Sequence, residues 1–310
     1  MRSLEEPGIR EISKLELLAN QVVEGFIVGL HQSPFHGFSV EFAEHRIYNA
    51  GESTKNIDWK VFARTDRLYS KRFEEETNLR CQIVIDISSS MQFPKSTLEN
   101  PRDTQNKFIF SALGAASMMN LFRRQRDAFG LSLFDEVLKI HTPAKSSTAH
   151  YKLLLSHLEN VLNHPGELRG TQAAQVLHEI AERIHKRSLV LVFSDMMDDP
   201  GRIKEVFAAL QHLKHNKHEV ILFHTVDRKK EVDFDYENRP HLFIDLETGE
   251  KVRLLPKEVE KEYKRQMIQL HEQINMTCLQ YKIDLIEADI SKGYKPILQA
   301  YLAKRSRMSV

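Results

Sequence analysis

Two kinds of hydrophobic pattern divide the chain. Over residues 13–31, Leu15, Leu18, Val22, Phe26 and Leu30 fall largely on one helical face, with Leu17, Val23 and Ile27 at its edges, which predicts an amphipathic helix. Residues 32–80 break into short apolar stretches separated by turn signals such as Ser33-Pro34, His36-Gly37 and Ala50-Gly51, a pattern expected of short strands. From residue 81 a regular alternation begins. Residues 81–86, 128–134, 188–195, 219–225 and 283–288 are nearly continuous apolar runs, while helical periodicity fills 105–122, 149–162, 172–185, 201–215 and 294–304. Residues 137–141 are the expected hairpin partner of the second run. Residues 242–255 read as a hairpin around Thr248-Gly249, and 256–281 as a long polar-amphipathic helix. Strands that do not alternate are buried on both faces, and interleaved with helices they predict an α/β fold with a doubly wound, mostly parallel, Rossmann-like sheet. The expected division is a helix plus a small, partly β region over 1–79 and the sheet domain over 80–310, the latter carrying the hairpin and long helix at about 240–281.

Open sheets of this kind hold their sites at the carboxyl ends of the strands, and two of the apolar runs end there in an acid. Asp86 closes 81–86, and Ser88 and Ser90 follow at alternate positions. Thr171 follows Gly170 in the loop before the helix at 172–185, and Asp195 closes 188–195. Two carboxylates and three hydroxyls form a hard-oxygen set suited to Mg²⁺, with Mn²⁺ also possible. Each residue also has a plain reading: serines that cap the next helix, Thr171 as an N-cap, and Asp195 as a polar strand end.

The order Asp-x-Ser-x-Ser, then a Gly-Thr loop, then a strand-end Asp resembles the metal-ion-dependent adhesion site of von Willebrand factor A-like domains. The likeness covers about residues 80–310 and matches all five positions, Asp86, Ser88, Ser90, Thr171 and Asp195. It implies a von Willebrand factor A-like fold, Mg²⁺ held by the hydroxyls and one or both acids, partly through water, and a coordination position open to an acidic side chain of a partner protein. Ahead of it, Ser39-Val40-Glu41-Phe42, Arg46 with Tyr48, Gly51, and Asn56-Ile57-Asp58-Trp59-Lys60 with Ala63-Arg64-Thr65 resemble the N-terminal signature of a bacterial family, number fifty-eight among the domains of unknown function. Glu52 departs from the Asp that often follows that glycine. This second resemblance implies a protein–protein interaction module rather than an enzyme: an adaptor or co-chaperone of a MoxR-type AAA+ ATPase in protein maturation or complex assembly. The alternatives are a Mg²⁺-dependent phosphoryl hydrolase using Asp86, and a metal-free scaffold.

Composition narrows the classes further. With 44 basic and 43 acidic residues the net charge is +1, and no aromatic-basic interleaving suggests nucleic acid as partner. Cys81 and Cys278 stand too far apart for a CxxC pair, so neither a disulfide framework nor structural zinc is expected. The N-terminal stretch does not read as a secretion signal, and the longest strongly apolar run, 189–193, falls far short of the roughly 20 residues that span a bilayer. The expected localisation is cytoplasmic. There is no Gly-Lys-Ser/Thr phosphate loop, so the chain is not itself an ATPase, and Ser88 stands where a haloacid-dehalogenase-type phosphatase needs a second acid. His178 and His185 do not form an HExxH motif, and His212, His215 and His218 read as a solvated helix end. Trp59, amid Ile57, Val61 and Phe62, is the expected anchor of the N-terminal region.

Overall fold

The unalternating apolar runs become the middle of one sheet. The computed structural model of the protein describes residues 13–31, 45–47, 59–65, 69–71, 79–95, 105–164, 170–197 and 200–308. Its strands are β1 (His45–Ile47), β2 (Tyr69–Lys71), β3 (Arg80–Asp86), β4 (Ala128–Phe134), β5 (Leu138–His141), β6 (Leu189–Ser194), β7 (Glu219–Val226), β8 (His241–Ile244), β9 (Lys251–Leu254) and β10 (Asp284–Asp289). Its helices are α1 (Lys14–His31), α2 (Trp59–Thr65), α3 (Lys107–Arg124), α4 (Thr148–Asn163), α5 (Ala173–Arg183), α6 (Pro200–His215), α7 (Pro256–Gln280) and α8 (Lys295–Met308).

Six strands pair in the order β10-β7-β6-β3-β4-β5, all parallel except β5, which returns antiparallel on β4. The expected α/β class and mostly parallel sheet are therefore present. Every residue of β6 is buried, as is all of β3 after Arg80, because helices cover both faces. On one face Val84, Val190, Val192 and Leu222 pack with Leu177 and Ile180 of α5, Phe207 and Leu210 of α6, and Ile274 and Cys278 of α7. On the other lies α3, buried at every residue from Lys107 to Phe122. Helix α8 joins it there: Phe110 stacks on Tyr294 at 4.7 Å, and Phe122 meets Tyr301 edge-on at 4.9 Å. The α3 surface away from the sheet is closed by α1, through Asn120 donating to Asn20 and Arg124 pairing with Glu24 at 2.5 Å.

Gly130 in β4 is fixed by close approach. A Cβ there would run into the side-chain oxygen of Gln82 and the backbone carbonyl of Thr142. Gly130→Ala is expected to cost about 2 kcal/mol, in the usual range for overpacking. Urea unfolding at constant m-value checks this, and a variant as stable as wild type would show that the edge yields freely.

The chain divides into two units, one of residues 27–78 and one of 1–26 with 79–310. The second holds the sheet and also takes in α1 through Phe26. In the smaller unit β1 and β2 pair antiparallel, His45 opposite Lys71. The signature residues 39–42, 48, 51, 52 and 56–58 lie outside the described residues, as does the side chain of Trp59. Among the described residues no helix is long and apolar enough to cross a membrane. One histidine expectation needs correction: His218 is 1% exposed, and its Nδ1 accepts the Ser188 amide at 3.2 Å. The imidazole fills the turn into β7 rather than a solvated helix end.

Candidate functional site

Strands β3 and β6 are parallel neighbours, with Ile85 opposite Phe193, and connections leave β3 toward β4 on one side and return to β6 on the other. This reversal is where open sheets form their crevice. It brings Asp86 and the Ser194-Asp195 pair to the same edge.

Past Asp86 the chain turns back on its own carboxylate: the Ser88 amide donates to Asp86 Oδ1 at 2.9 Å before a 3₁₀ turn over Ser89–Gln92. Past Asp195 a second turn depends on Met196, which is buried at φ 51° in the left-handed region that few non-glycine residues adopt. That conformation aims the Met196 amide at Ser194 Oγ and the Met197 amide at Asp195 Oδ1, both at 3.1 Å. The two turns are joined by side chains. Ser194 Oγ donates to Asp86 Oδ2 at 3.0 Å, Ser88 Oγ and Ser90 Oγ lie 3.1 Å apart, and the Ser90 hydroxyl bonds Asp195.

Thr171 comes from a third loop, held in place where the Gln172 amide donates to the Asp135 carbonyl at 3.2 Å. Asp86, Thr171, Ser194 and Asp195 line one small cavity of about 10 Å³, enough for a single water-sized sphere. The five residues singled out in the sequence thus converge. Ser88 takes the N-cap position of the 3₁₀ turn but makes no side-chain cap bond, Asn106 caps α3, and Gln172 rather than Thr171 occupies the N-cap of α5. Thr171 Oγ1 is buried and, among the described residues, has no hydrogen-bond partner, an uncommon condition for a hydroxyl.

Two further residues belong to the cluster and escaped the sequence reading. Lys107, the first residue of α3 and 1% exposed, directs its ammonium to Asp195 Oδ2 at 2.7 Å and, more closely still, to Glu231 Oε1. Glu231 sits in a π turn over Arg228–Val232, where its other oxygen accepts the Asp227 amide at 2.8 Å and its carbonyl accepts Tyr263 Oη of α7 at 2.8 Å. Burial works against ionising Asp195, yet the Lys107 ammonium outweighs it and holds that carboxyl below its usual range. The same two carboxylates keep Lys107 above the ordinary lysine value despite burial. Among the described residues Asp86 has no cation of its own: burial, then the Asp195 charge, push it up to about 7. His224 donates from Nε2 to the Asp195 carbonyl at 2.9 Å, and burial and His271 push it down to about 4, so it is neutral at pH 7.

With all groups ionised, the three carboxylates Asp86, Asp195 and Glu231 face one ammonium, leaving two buried negative charges uncompensated. Among the described residues no cluster of three or more His, Cys, Asp or Glu side chains is arranged to hold a metal. An ion at this edge would therefore depend on the hydroxyls. The residues fit one: the orphaned Thr171 oxygen, the hard donor set and the charge deficit all match a small divalent cation.

The family described as "Protein of unknown function DUF58" matches residues 44–273. Among curated proteins, the uncharacterized proteins Rv1480 of Mycobacterium tuberculosis and Mb1516 of Mycobacterium bovis are each 23% identical over 213 residues, 69% of this chain. The match spans 63% of the length of those relatives. Among solved structures, the conserved hypothetical protein BatB of Bacteroides thetaiotaomicron aligns with TM-score 0.44 and 13% identity over 74% of this chain and 99% of its own. An aerotolerance-related membrane protein of Bacteroides fragilis aligns with TM-score 0.44 and 14% identity over 72% and 96%.

Proposed function

This chain belongs to the DUF58 family, and from that premise we propose that it is a Mg²⁺-dependent protein-interaction module rather than an enzyme. The observation that carries the reading is the Thr171 hydroxyl, buried without a partner among the described residues and lining a cavity together with Asp86 and Asp195. Asp86, Ser88, Ser90 and Thr171, with Asp195 directly or through water, would hold the ion, Mg²⁺ or Mn²⁺, in the manner of a von Willebrand factor A-like adhesion site. Bound there, the ion supplies an electrophilic position that accepts an acidic side chain from a partner. The protein's own contribution is preorganisation: backbone amides of Ser88, Met196 and Met197 bond Asp86, Ser194 and Asp195, and Ala173 of α5 with Ile203 and Val206 of α6 line the cavity. The partner we propose is a MoxR-type AAA+ ATPase or its client, with this chain as adaptor or co-chaperone.

The test is a calorimetric titration of chelator-stripped protein with Mg²⁺ and with Mn²⁺. Saturable binding is expected, falling at least tenfold in the Ser88→Ala/Ser90→Ala variant while its melting curve is retained. A purified MoxR-type ATPase should then bind wild type only when Mg²⁺ is present. Equal ion affinity in wild type and double variant would remove the ion from this site. Turnover of an aryl phosphate, lost in Asp86→Asn, would instead favour a hydrolase.

A further inference from the structure

Lys107 is placed where no local rule of helix building puts a lysine. It opens α3, where a cation opposes the helix dipole, and it is almost wholly buried. The helix start is already served by Asn106, whose Oδ1 accepts the Ile109 amide at 2.6 Å. What the ammonium does have is two carboxylates, Asp195 and Glu231, and the ring of Phe93 at 5.9 Å.

The two acids of the candidate site are consequently unequal. Asp86 is met by neutral donors only, the Ser88 amide and the Ser88 and Ser194 hydroxyls. Asp195 is met by the Met197 amide, the Ser90 hydroxyl and a full positive charge at 2.7 Å. A cation entering the cavity is repelled from the Asp195 side and drawn to the side of Asp86 and Thr171. With all four groups ionised, Lys107 and Glu231 cancel, and Asp86 and Asp195 leave the two negative charges that a divalent ion fills.

We propose that Lys107 is a positioning residue that withholds Asp195 from direct ion contact, so that the protein alone binds a divalent cation weakly and leaves a coordination position for an outside carboxylate. This rests on the reading of the site as an ion site. It assigns to the Lys107–Glu231 pair a regulatory part within that site: lowering affinity for the free ion so that tight binding requires ion and acidic ligand together.

The experiment is a Mn²⁺ titration by calorimetry of full-length wild type and of Lys107→Met/Glu231→Gln, which leaves the net charge of the cluster unchanged. The double variant is expected to bind Mn²⁺ at least tenfold more tightly, because Asp195 becomes available. Adding Asp195→Asn should take the gain away, an outcome that a purely structural lysine would not produce. Should the Met/Gln pair fail to fold, Lys107→Gln/Glu231→Gln serves the same comparison. Binding by the variant and none by wild type also supports the proposal. Equal or weaker binding in the folded variant overturns the role of Lys107 and leaves the ion site standing. No binding in any form overturns both.

Discussion

Replacing Lys107 with methionine alone will lower the unfolding free energy by about 3–5 kcal/mol at pH 7, the range found when one partner of a buried ion pair is removed. The loss is large because two carboxylates, not one, lose their counter-charge in a place closed to water. Its dependence on pH has a definite sign. In wild type the lysine pulls the folded-state Asp195 below its ordinary value, so that group's contribution is present above the ordinary carboxylate range and fades only as pH falls through the lowered value. Glu231 is already held up by burial in wild type; in the variant it rises further and Asp195 rises with it, so stability is kept in acid and lost as pH rises through the raised values. The gap between the two proteins must therefore widen from pH 4 to pH 7. Urea unfolding across that interval measures it, and a constant gap under 1 kcal/mol would mean that Lys107 is paired for reasons other than charge.

Phe193→Ala is the other large change, with an expected loss of about 3–5 kcal/mol. Phe193 is fully buried in β6, stacks on Phe223 at 4.6 Å, and lies 3.7 Å from where a Cβ on Gly114 would sit. Helix α3 approaches the sheet closely at that glycine, so neighbouring atoms can hardly collapse into the space left by the ring. The residue also precedes Ser194 and Asp195, so ion affinity should fall along with stability. Phe193→Leu retains most of the volume and should cost less than about 1.5 kcal/mol. If the alanine variant unfolds at the same urea concentration as wild type, the packing of α3 on β6 is looser than these contacts indicate.

The strands and the hairpins were legible because their patterns report local burial. An unbroken run such as 189–193 suits only a strand covered on both faces, and Thr248-Gly249 marks a turn, where Gly249 indeed takes φ 76°. The order of strands was not legible, since placing β6 between β3 and β7 depends on pairings distant in sequence. For the candidate site, Asp86, Ser88, Ser90 and Asp195 could be found because they cluster at the ends of apolar runs, and Thr171 because it follows a glycine in the loop before a helix. Lys107 offered a fainter signal of the same kind: residues 108–122 have no polar face, so a lysine opening that stretch has no solvent to reach. Glu231 offered none, because Arg228-Lys229-Lys230-Glu231 reads as an ordinary solvated charge run and only the π turn folds the acid inward.

The small volume of the cavity between Asp86 and Thr171 works as a gauge. Its volume of about 10 Å³ has room for one water-sized sphere. A visiting carboxylate can offer it one oxygen while the rest of the visitor stays outside. One atom cannot distinguish aspartate from glutamate, or one protein from another, so discrimination has to be made on the ground around the opening. Part of that ground is acidic: next to Thr171, oxygens of Glu136 and Glu247 lie 3.5 and 3.6 Å from where a side chain on Gly170 would begin. If an acidic partner docks there as proposed, further acids flanking the one it inserts would meet these carboxylates unfavourably, and a basic or neutral neighbour would not.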